Sequence, residues 1–293
     1  MKVLVTGGTG QLGYCLQHTA PATIELIAPG RKELDLSDSQ KIAAYLAGLD
    51  VDAVINAAAY TAVDKAEEEP ELAYQINAEA VKLLSAYCDA KNIPLLQVST
   101  DFVFDGKQSH LYAPTDKTDP LGIYGQTKLK GEGFALEGGD NHYIVRTGWL
   151  YCEHGQNFVK TMLRLARERE LLSVVADQVG TPTYAANLAK MLWRLLELRP
   201  REKVFHFSDA GVASWYDLAQ AVFEKAVEHG LLAKVPELKP IPSSEYPTPA
   251  ERPVFSVLDK RQSWGLLQVP ADHWRSALDE MLKKLKALED ETN

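Results

Sequence analysis

The sequence predicts an α/β fold built on a doubly wound parallel sheet, with a second, smaller lobe formed mainly by the C-terminal part of the chain. Over the first 149 residues, short apolar runs alternate with longer segments of helical character. Helices rather than hairpin turns flank these runs, which is typical of parallel strands buried on both faces. Repeated alternation of strand and helix implies right-handed crossovers and helices on both sides of the sheet.

Each predicted element rests on a run of this kind. Strands are predicted at 2–7, 24–29, 52–59, 94–100, 142–149 and 203–209. Helices are predicted from the first glycine-rich loop through residue 19 and at 38–49, 71–92, 125–136, 157–169, 185–198 and 214–230, the last with Ser214 as its N-cap. The proline-rich stretch 234–253 is predicted to be an ordered loop, because long loops in compact domains are often functional. The alternation of strands and helices becomes less regular after residue 150. We therefore predict a cofactor-binding domain of residues 1–149 and 185–208 and a substrate-binding lobe of residues 150–184 and 209–293.

Composition and charge restrict the function. The 293 residues carry a formal net charge of −9, which argues against a basic face for nucleic acid. No apolar run approaches the roughly 18 residues that span a bilayer, and the N-terminus turns glycine-rich too early for a signal peptide. The three cysteines, Cys15, Cys88 and Cys152, have the spacing of neither a metal site nor a disulfide framework. We therefore expect a cytoplasmic protein with reduced cysteines that binds neither nucleic acid nor membrane.

The stretch TGGTGQLG at 6–13 follows the first strand and opens a helix. Gly7, Gly10 and Gly13 allow a tight turn, close approach of a pyrophosphate to the backbone, and close packing of the helix on the strand. The N-terminus of the helix then offers free N–H groups and a positive dipole to an anion. This context predicts a Rossmann-type dinucleotide site, and the G-x-x-G-x-x-G spacing resembles that of the extended short-chain dehydrogenases.

The residues after the second strand bear on the choice of nicotinamide cofactor. An acidic side chain at that strand end suits a free 2′-hydroxyl of the adenosine ribose, whereas an arginine suits a 2′-phosphate. The chain reads APGRKELDLSD, in which Arg31 precedes Asp35 and Leu36. Asp35 and Leu36 resemble the adenine-contacting pair of the family. We expect NADPH to be preferred and NADH to be usable; a solvated loop charge is the alternative role for Arg31.

The stretch IYGQTKLKGE at 123–132 places Tyr124 four residues before Lys128, so both side chains project from one face of a helix. A phenol with its ordinary pKa of about 10 is a poor acid–base catalyst at neutral pH. A nearby ammonium and the positive charge of an oxidised nicotinamide are expected to lower that pKa. Tyr124 is then a candidate general acid, which protonates a carbonyl oxygen while hydride arrives at its carbon. Lys128 is also expected to hold the nicotinamide ribose.

A strand end supplies the third candidate group. The stretch STDFVFDG at 99–106 lies at the end of the strand 94–100, and ligands of open α/β sheets bind beyond the carboxyl ends of strands. Ser99 or Thr100 could hydrogen-bond a substrate carbonyl, and capping of the strand end is the alternative role. A hydroxyl, a tyrosine and a lysine in this order resemble the catalytic set of the short-chain dehydrogenase/reductase family.

Motifs along nearly the whole chain narrow this resemblance to the dTDP-4-dehydrorhamnose reductases. They are GGTGQLG, NAAAYTAVDKAE (56–67), STDFVFDG, YGQTKLKGE, VRTGWLY (145–151), NFVKTM (157–162), VVADQVGTPTY (174–184), SWYDLA (214–219) and SSEYPTPAERPVFSVLD (243–259). The resemblance implies NAD(P)H-dependent reduction of the C4 keto group of dTDP-4-dehydro-6-deoxy-L-mannose to dTDP-L-rhamnose. It also implies that Thr100, Tyr124 and Lys128 are the catalytic residues.

The resemblance further implies which residues contact each ligand. The cofactor would be held by Gly7, Gly10, Gln11, Leu12, Gly13, Arg31, Asp35, Leu36, Ala57, Ala58, Ala59, Tyr60, Ser99, Tyr124 and Lys128. The nucleotide sugar would be held by Thr61, Val63, Thr100, Phe102, Trp149 and Arg252. The guanidinium of Arg252 would meet the phosphates, whose geometry it suits.

Two positions depart from the pattern of the family. Phe102 replaces the tyrosine of the usual STDYVFDG, which removes a hydroxyl from the rim of the pocket. Cys15 stands where some members carry a glutamate that binds magnesium at a dimer interface. We therefore expect no metal site, and any homodimer should form without metal.

Other functions remain open from the sequence. A nucleotide-sugar epimerase, dehydratase or different reductase would share the fold, but epimerases and dehydratases cycle their cofactor internally. Net consumption of NAD(P)H therefore separates them from a reductase. The noncatalytic regulatory subunit of methionine adenosyltransferase is a binding module of the same fold, and the intact set of Thr100, Tyr124 and Lys128 argues against it.

Overall fold

A six-stranded parallel sheet lies at the centre of the structure, a computed structural model that describes residues 1–269 and 272–292. The strands of the chain are β1 (Lys2–Thr6), β2 (Glu25–Ile27), β3 (Ala53–Asn56), β4 (Leu95–Thr100), β5 (Tyr143–Thr147), β6 (Leu150–Tyr151), β7 (Leu171–Val175), β8 (Val179–Gly180), β9 (Thr183–Tyr184), β10 (Val204–His206), β11 (Ala213–Ser214) and β12 (Glu237–Ile241). The central sheet has the order β10-β5-β4-β3-β1-β2, and its pairs are all parallel. The winding reverses between β1 and β3, which is where ligands of open α/β sheets bind.

Helices cover both faces of this sheet. They are α1 (Gln11–Thr19), α2 (Ser39–Ala47), α3 (Val63–Ala66), α4 (Pro70–Tyr74), α5 (Ala80–Lys91), α6 (Ile123–Gly138), α7 (Phe158–Glu168), α8 (Ala185–Leu198), α9 (Trp215–Glu228), α10 (Arg261–Leu267) and α11 (Trp274–Thr292). In β1, Val3 and Val5 pack into the core that includes α1 and α8, whereas Leu4 packs into the core that includes α2 and α5. The predicted doubly wound parallel sheet is therefore confirmed. None of the described helices is long and apolar enough to cross a membrane.

The strands predicted at 24–29, 52–59 and 203–209 are shorter in the structure, and the predicted loop 234–253 contains a strand. The second strand is shorter than 24–29, because the chain turns after Ile27 and the carbonyl of Pro29 accepts a hydrogen bond from the N–H of Gly8 at 3.0 Å. The stretch 234–253 is not a loop throughout, since β12 within it pairs in parallel with β7. The prolines of that stretch conceal the strand signal, and Pro240 is tolerated in β12 because the strand belongs to a two-stranded sheet with free edges. Of the predicted lobe 209–293, residues 270, 271 and 293 lie outside the described residues.

The predicted helix 71–92 contains a π-helical turn at Gln75–Glu79, which joins α4 to α5. This turn presents the buried amide of Asn77 to the loop after β3. The Asn77 Oδ1 accepts from the N–H of Tyr60 at 2.9 Å, and its Nδ2 donates to the Tyr60 carbonyl at 3.1 Å. A Cβ atom on Gly131 would lie 2.1 Å from the Asn77 carbonyl oxygen, so glycine allows α6 to approach the turn. The π-helical turn thus fixes both the β3 loop and α6.

A buried ion pair joins α6 to β5. The Nε and Nη2 atoms of Arg146 donate to the two carboxylate oxygens of Glu132 at 2.9 and 2.7 Å. Both side chains are almost fully buried, and the guanidinium also lies over the ring of Phe104 at 5.2 Å. Such a bidentate contact satisfies two charges that would be costly if left unpaired.

We predict that Glu132→Gln lowers the free energy of unfolding by about 3–5 kcal/mol, because it leaves the buried guanidinium of Arg146 without a counter-charge. Chemical denaturation followed by circular dichroism measures this loss. Glu137→Gln, at an exposed position of the same helix, is the matched control and should change stability little. Equal stability of the two variants would show that the ion pair contributes nothing.

Candidate active site

A cleft of about 490 Å³ opens at the carboxyl ends of the central strands, beside the β1–β3 switch point. The predicted site residues that line it come from the glycine loop, the strand ends and α6: Gly7, Gly10, Gln11, Leu12, Arg31, Asp35, Leu36, Ala57, Ala58, Ala59, Thr61, Val63, Ser99, Thr100, Phe102, Tyr124, Lys128 and Trp149. Additional lining residues, which the sequence did not single out, include Thr9, Leu34, Ile76, Val98, Asp101, Thr147, Gly148 and Leu150. The structure therefore brings most of the predicted residues to one place.

The glycine loop shapes one end of the cleft. Gly7 has a φ of +70°, in the left-handed region that favours glycine. A Cβ atom on Gly13 would lie 2.2 Å from the Gly7 carbonyl oxygen, so Gly13 serves packing of α1 on the loop and does not line the cleft. The N-cap of α1 is Gly10, which has no side-chain cap, and the first turn of α1 carries no acidic residue. The N–H groups at this helix end are thus suited to a phosphate.

Arg31 and Asp35 lie at the outer rim of the same end. The Nε of Arg31 is 3.6 Å from Asp35 Oδ1, and the Arg31 side chain is 72% exposed. Hydrogen bonds from the backbone and hydroxyl of Ser37 lower the pKa of Asp35, so the carboxylate is charged at neutral pH. Arg31 is therefore an exposed guanidinium whose charge is partly balanced by its neighbour.

Tyr124 and Lys128 project from α6 into the middle of the cleft. Lys128 is buried, and its Nζ donates to the carbonyl of Val98 at 2.7 Å. Burial lowers the pKa of Lys128 to about 8, against the opposing charge of Glu132. Burial also raises the pKa of Tyr124 to about 12; a hydrogen bond from the Thr100 hydroxyl lowers it in part, and the charge of Asp101 raises it further. In the protein alone, the pKa of the phenol is therefore raised and not lowered, because desolvation outweighs the hydrogen bond from Thr100. The lowering expected from an oxidised nicotinamide stays a prediction.

Asp101 is a buried acidic group that the sequence reasoning did not select. The Thr100 Oγ1 lies 3.1 Å from Asp101 Oδ1, and burial raises the pKa of Asp101 to about 6. A Cβ atom on Gly148 would lie 2.6 Å from this carboxyl group, so the backbone directly after β5 approaches it closely. Its place at the end of β4, directly after Thr100, is the signal that could have identified it. Asp101 thus supports Thr100 from within the lining of the cleft.

The hydroxyl of Ser99 is a buried polar group beside these residues. Within residues 1–269 and 272–292, its Oγ atom has no hydrogen-bond partner. A buried hydroxyl without a hydrogen-bond partner costs free energy unless a ligand supplies that partner. Ser99 therefore indicates that the cleft is built to receive a polar group.

Besides Gly13, two predicted contact residues lie away from the lining. Tyr60 donates its hydroxyl to Glu69 at 2.5 Å, and its backbone is held by Asn77. Arg252 forms an ion pair with Asp64 at 2.8 Å, next to the N-terminus of α3, and also donates to Thr248. The guanidinium predicted to meet phosphates is thus bonded to a carboxylate in this structure.

The two departures from the family pattern also have defined surroundings. The ring of Phe102 meets that of Tyr124 edge to face, with centroids 5.5 Å apart, at the lining of the cleft. Cys15 is a free, buried thiol in α1, and a hydrogen bond with the Cys152 thiol together with burial raises its pKa. No group of three or more His, Cys, Asp or Glu side chains suited to a metal ion occurs among the described residues.

Comparisons with known proteins agree with this geometry. The family described as the RmlD substrate binding domain matches residues 1–287. A dTDP-4-dehydrorhamnose reductase from Aggregatibacter actinomycetemcomitans is 38% identical over 284 residues, which cover 94% of this chain and 97% of that protein.

Two solved structures are similar over almost the whole chain. The crystal structure of a dTDP-4-dehydrorhamnose reductase from Clostridium acetobutylicum ATCC 824 has a TM-score of 0.91 at 36% identity and covers 98% of this chain and 100% of its own. The enzyme of the same name from Bacillus anthracis str. Ames, solved in complex with NADP, has a TM-score of 0.90 at 33% identity and covers 97% of this chain and 99% of its own. The predicted resemblance is confirmed, and the chain belongs to the dTDP-4-dehydrorhamnose reductase family.

Proposed function

We propose that this protein reduces the C4 keto group of dTDP-4-dehydro-6-deoxy-L-mannose (dTDP-4-dehydro-β-L-rhamnose) to dTDP-L-rhamnose, the last step of dTDP-rhamnose biosynthesis. The observation that carries the proposal is the convergence of Thr100, Tyr124 and Lys128 with the glycine loop in one cleft. Membership of the family supports the substrate, and the Bacillus anthracis relative solved with NADP supports the cofactor.

The residues of the cleft fit a nicotinamide dinucleotide. The uncapped N-terminus of α1 suits its pyrophosphate, and the unpaired Ser99 hydroxyl suits a polar atom farther in. The Lys128 ammonium uses one of its three donors on Val98, which leaves donors for a ribose hydroxyl. When bound, NADPH supplies the hydride. We propose that Arg31 lies near the 2′-phosphate and that NADH is also used.

Tyr124 is proposed to hold and deliver the proton. The phenol is protonated at neutral pH, but the raised pKa of about 12 makes it a weak acid. We propose that the nearby ammonium of Lys128 favours the phenolate and so assists donation to the carbonyl oxygen as that oxygen gains negative charge. The Thr100 hydroxyl has a single proton, which it donates to Asp101 in this structure, and we propose that it donates to the carbonyl oxygen instead when the substrate binds. The ammonium of Lys128 contributes positive charge to the same cleft. These three residues thus position the carbonyl, donate the proton and balance the charge.

The remaining assignments follow from this function. We propose that residues 1–149 and 185–208 bind the cofactor, and that residues 150–184 and 209–293 bind the nucleotide sugar together with Thr61, Val63, Phe102 and Trp149. Arg252 would reach the phosphates only by exchanging its contact with Asp64. A cytoplasmic location is supported by the three free cysteines, and any homodimer would form without metal.

The proposal is tested by following nicotinamide absorbance with dTDP-4-dehydrorhamnose. Stoichiometric oxidation of NADPH with formation of dTDP-L-rhamnose is expected. Conversion of a nucleotide sugar without net oxidation of NADPH would indicate an epimerase or dehydratase instead. A stable complex with a methionine adenosyltransferase and no turnover would indicate a binding module.

Tyr124→Phe should lower kcat by about 10²–10⁴-fold, because positioned acid catalysis contributes that much. Cofactor binding, measured by fluorescence titration with NADPH, should persist, since only one hydroxyl is removed. Tyr74→Phe, at an exposed position on α4, is the control and should keep wild-type turnover. A Tyr124→Phe variant with near-normal kcat would remove the phenol from the mechanism.

Arg31→Ala should raise the KM for NADPH by about twofold to fivefold and leave the KM for NADH nearly unchanged. The effect is small because an exposed ion pair contributes about 0.2–1 kcal/mol. Lys32→Ala, the neighbouring exposed cation, is the control. A preference of the wild type for NADH, or an equal rise of both KM values in Arg31→Ala, would show that Arg31 is only a surface charge.

Treatment with EDTA should leave both turnover and oligomeric state unchanged, because a buried protonated thiol at Cys15 is a poor ligand for magnesium. Steady-state assays and sedimentation velocity, with and without added magnesium, make the measurement. Loss of activity or dissociation of an oligomer on chelation, reversed by magnesium, would contradict this prediction.

A further inference from the structure

Two stacked indoles stand at one end of the cleft. The rings of Trp149 and Trp215 are parallel within 2°, with centroids 3.5 Å apart. Trp149 lines the cleft, whereas Trp215 lies behind it, at the start of α9. The stack therefore connects a residue of the ligand cleft to one that does not line it.

The backbone of Trp149 adopts an unusual conformation. Its φ is +52°, in the left-handed region that a residue with a Cβ atom rarely adopts. Such a conformation persists where the surroundings determine it strongly, and it occurs often at ligand sites. The N–H of Thr183 helps to hold the Trp149 backbone in this conformation, because it donates to the Trp149 carbonyl at 3.1 Å.

Gly180 leaves the space in which the Trp149 indole lies. A Cβ atom on Gly180 would lie 2.6 Å from the indole of Trp149, so only glycine leaves room for the ring as it stands. Gly180 belongs to β8, which pairs with β11, and Trp215 directly follows β11. One small two-stranded sheet therefore carries both residues that hold the Trp149 ring.

Trp215 is itself held firmly. Ser214 caps α9 in a capping box with Asp217, which fixes the backbone at Trp215. The indole Nε1 of Trp215 donates to Gln178 Oε1 at 3.2 Å, and the ring also packs against Phe158. Trp215 thus presents a rigid face to Trp149.

The strand order places Trp149 relative to the glycine loop. The glycine loop follows β1 and Arg31 follows β2, whereas Trp149 follows β5, on the far side of β3 and β4. Tyr124 and Lys128 also line the cleft that runs between these two ends. Trp149 therefore follows a strand that β3 and β4 separate from β1, and the proposed function assigns this side of the cleft to the nucleotide sugar.

We propose that Trp215 is a positioning residue that holds the indole of Trp149 as the wall of the nucleotide-sugar pocket. This inference rests on the proposed function, because the ligand at that wall is the nucleotide sugar. Trp215 acts through Trp149 alone and neither contacts the cofactor nor takes part in proton transfer. Loss of the stack should thus weaken sugar binding and leave the cofactor end unaffected.

Trp215→Leu, which keeps an apolar side chain but removes the stack, should raise the KM for dTDP-4-dehydrorhamnose by about threefold to tenfold, with kcat and the KM for NADPH within about twofold of wild type. Trp215→Phe should restore most of the sugar KM, because a smaller ring can still stack. Gly180→Ala displaces the same indole from another element and should reproduce the effect. Trp193→Leu is the control for removal of a buried indole, since Trp193 belongs to α8 and its indole donates to the Thr19 hydroxyl of α1 at 3.3 Å.

Calorimetric binding of dTDP-L-rhamnose to each variant in the presence of NADP⁺ gives the same comparison without turnover. If the wild-type protein binds dTDP-L-rhamnose but does not reduce dTDP-4-dehydrorhamnose, the proposed function is contradicted. The sugar affinities of the variants then still test the role of Trp215. Unchanged sugar affinity in both Trp215→Leu and Gly180→Ala would overturn the inference. An equal loss of NADPH affinity in these variants, or the same loss of sugar affinity in Trp193→Leu, would also overturn it. If Trp215→Leu does not fold, the sugar affinities of Gly180→Ala and Trp215→Phe test the inference instead.

Discussion

The attachment of α6 to the carboxyl ends of β4 and β5 is the constraint on which the rest of the site depends. The ammonium of Lys128 bonds to the Val98 carbonyl of β4, and the carboxylate of Glu132, one turn later, bonds to Arg146 of β5. Because both bonds are buried, they hold α6 in a single register against the sheet. That register brings Tyr124, on the first turn of the helix, within hydrogen-bonding reach of Thr100. The position of the proposed proton donor therefore depends on the buried bonds that the Lys128 ammonium and the Glu132 carboxylate of α6 make to the sheet.

The same burial determines the electrostatics of the cleft. Desolvation lowers the pKa of Lys128 to about 8 and raises that of Tyr124 to about 12, so it opposes the charged form of each group. At neutral pH the tyrosine is a neutral donor, and the lysine still carries most of its charge. An acid that already holds its proton suits reduction of a carbonyl, in which negative charge develops on oxygen. Asp101, with a pKa of about 6, is a buried carboxyl group next to Thr100, and its Oδ1 accepts from the threonine hydroxyl at 3.1 Å.

Much of this arrangement could be predicted from the sequence because it depends on local order along the chain. The strand–loop–helix context of Gly7, Gly10 and Gly13 and the one-turn spacing of Tyr124 and Lys128 are short-range features, and the structure places both in the cleft. The features that sequence reasoning missed depend on contacts between distant segments. The ion pair of Arg252 with Asp64 joins residues 188 positions apart, and the pairing of β7 with β12 brings together strands that are far apart in the chain. The raised pKa of Tyr124 in the protein alone could not be predicted, because spacing along the chain does not reveal how deeply the phenol is buried.

The central claim is that the cleft transfers hydride from NADPH to C4 of a dTDP-linked 4-keto sugar, while Tyr124 supplies the proton. Reduction of dTDP-4-dehydrorhamnose with NADPH deuterated at the transferable position of nicotinamide C4, followed by NMR of the product, tests it most directly. The account predicts dTDP-L-rhamnose with deuterium at C4 of the sugar and one NADPH oxidised for each sugar formed. Product without deuterium at C4, or a converted sugar with no net oxidation of NADPH, would contradict it.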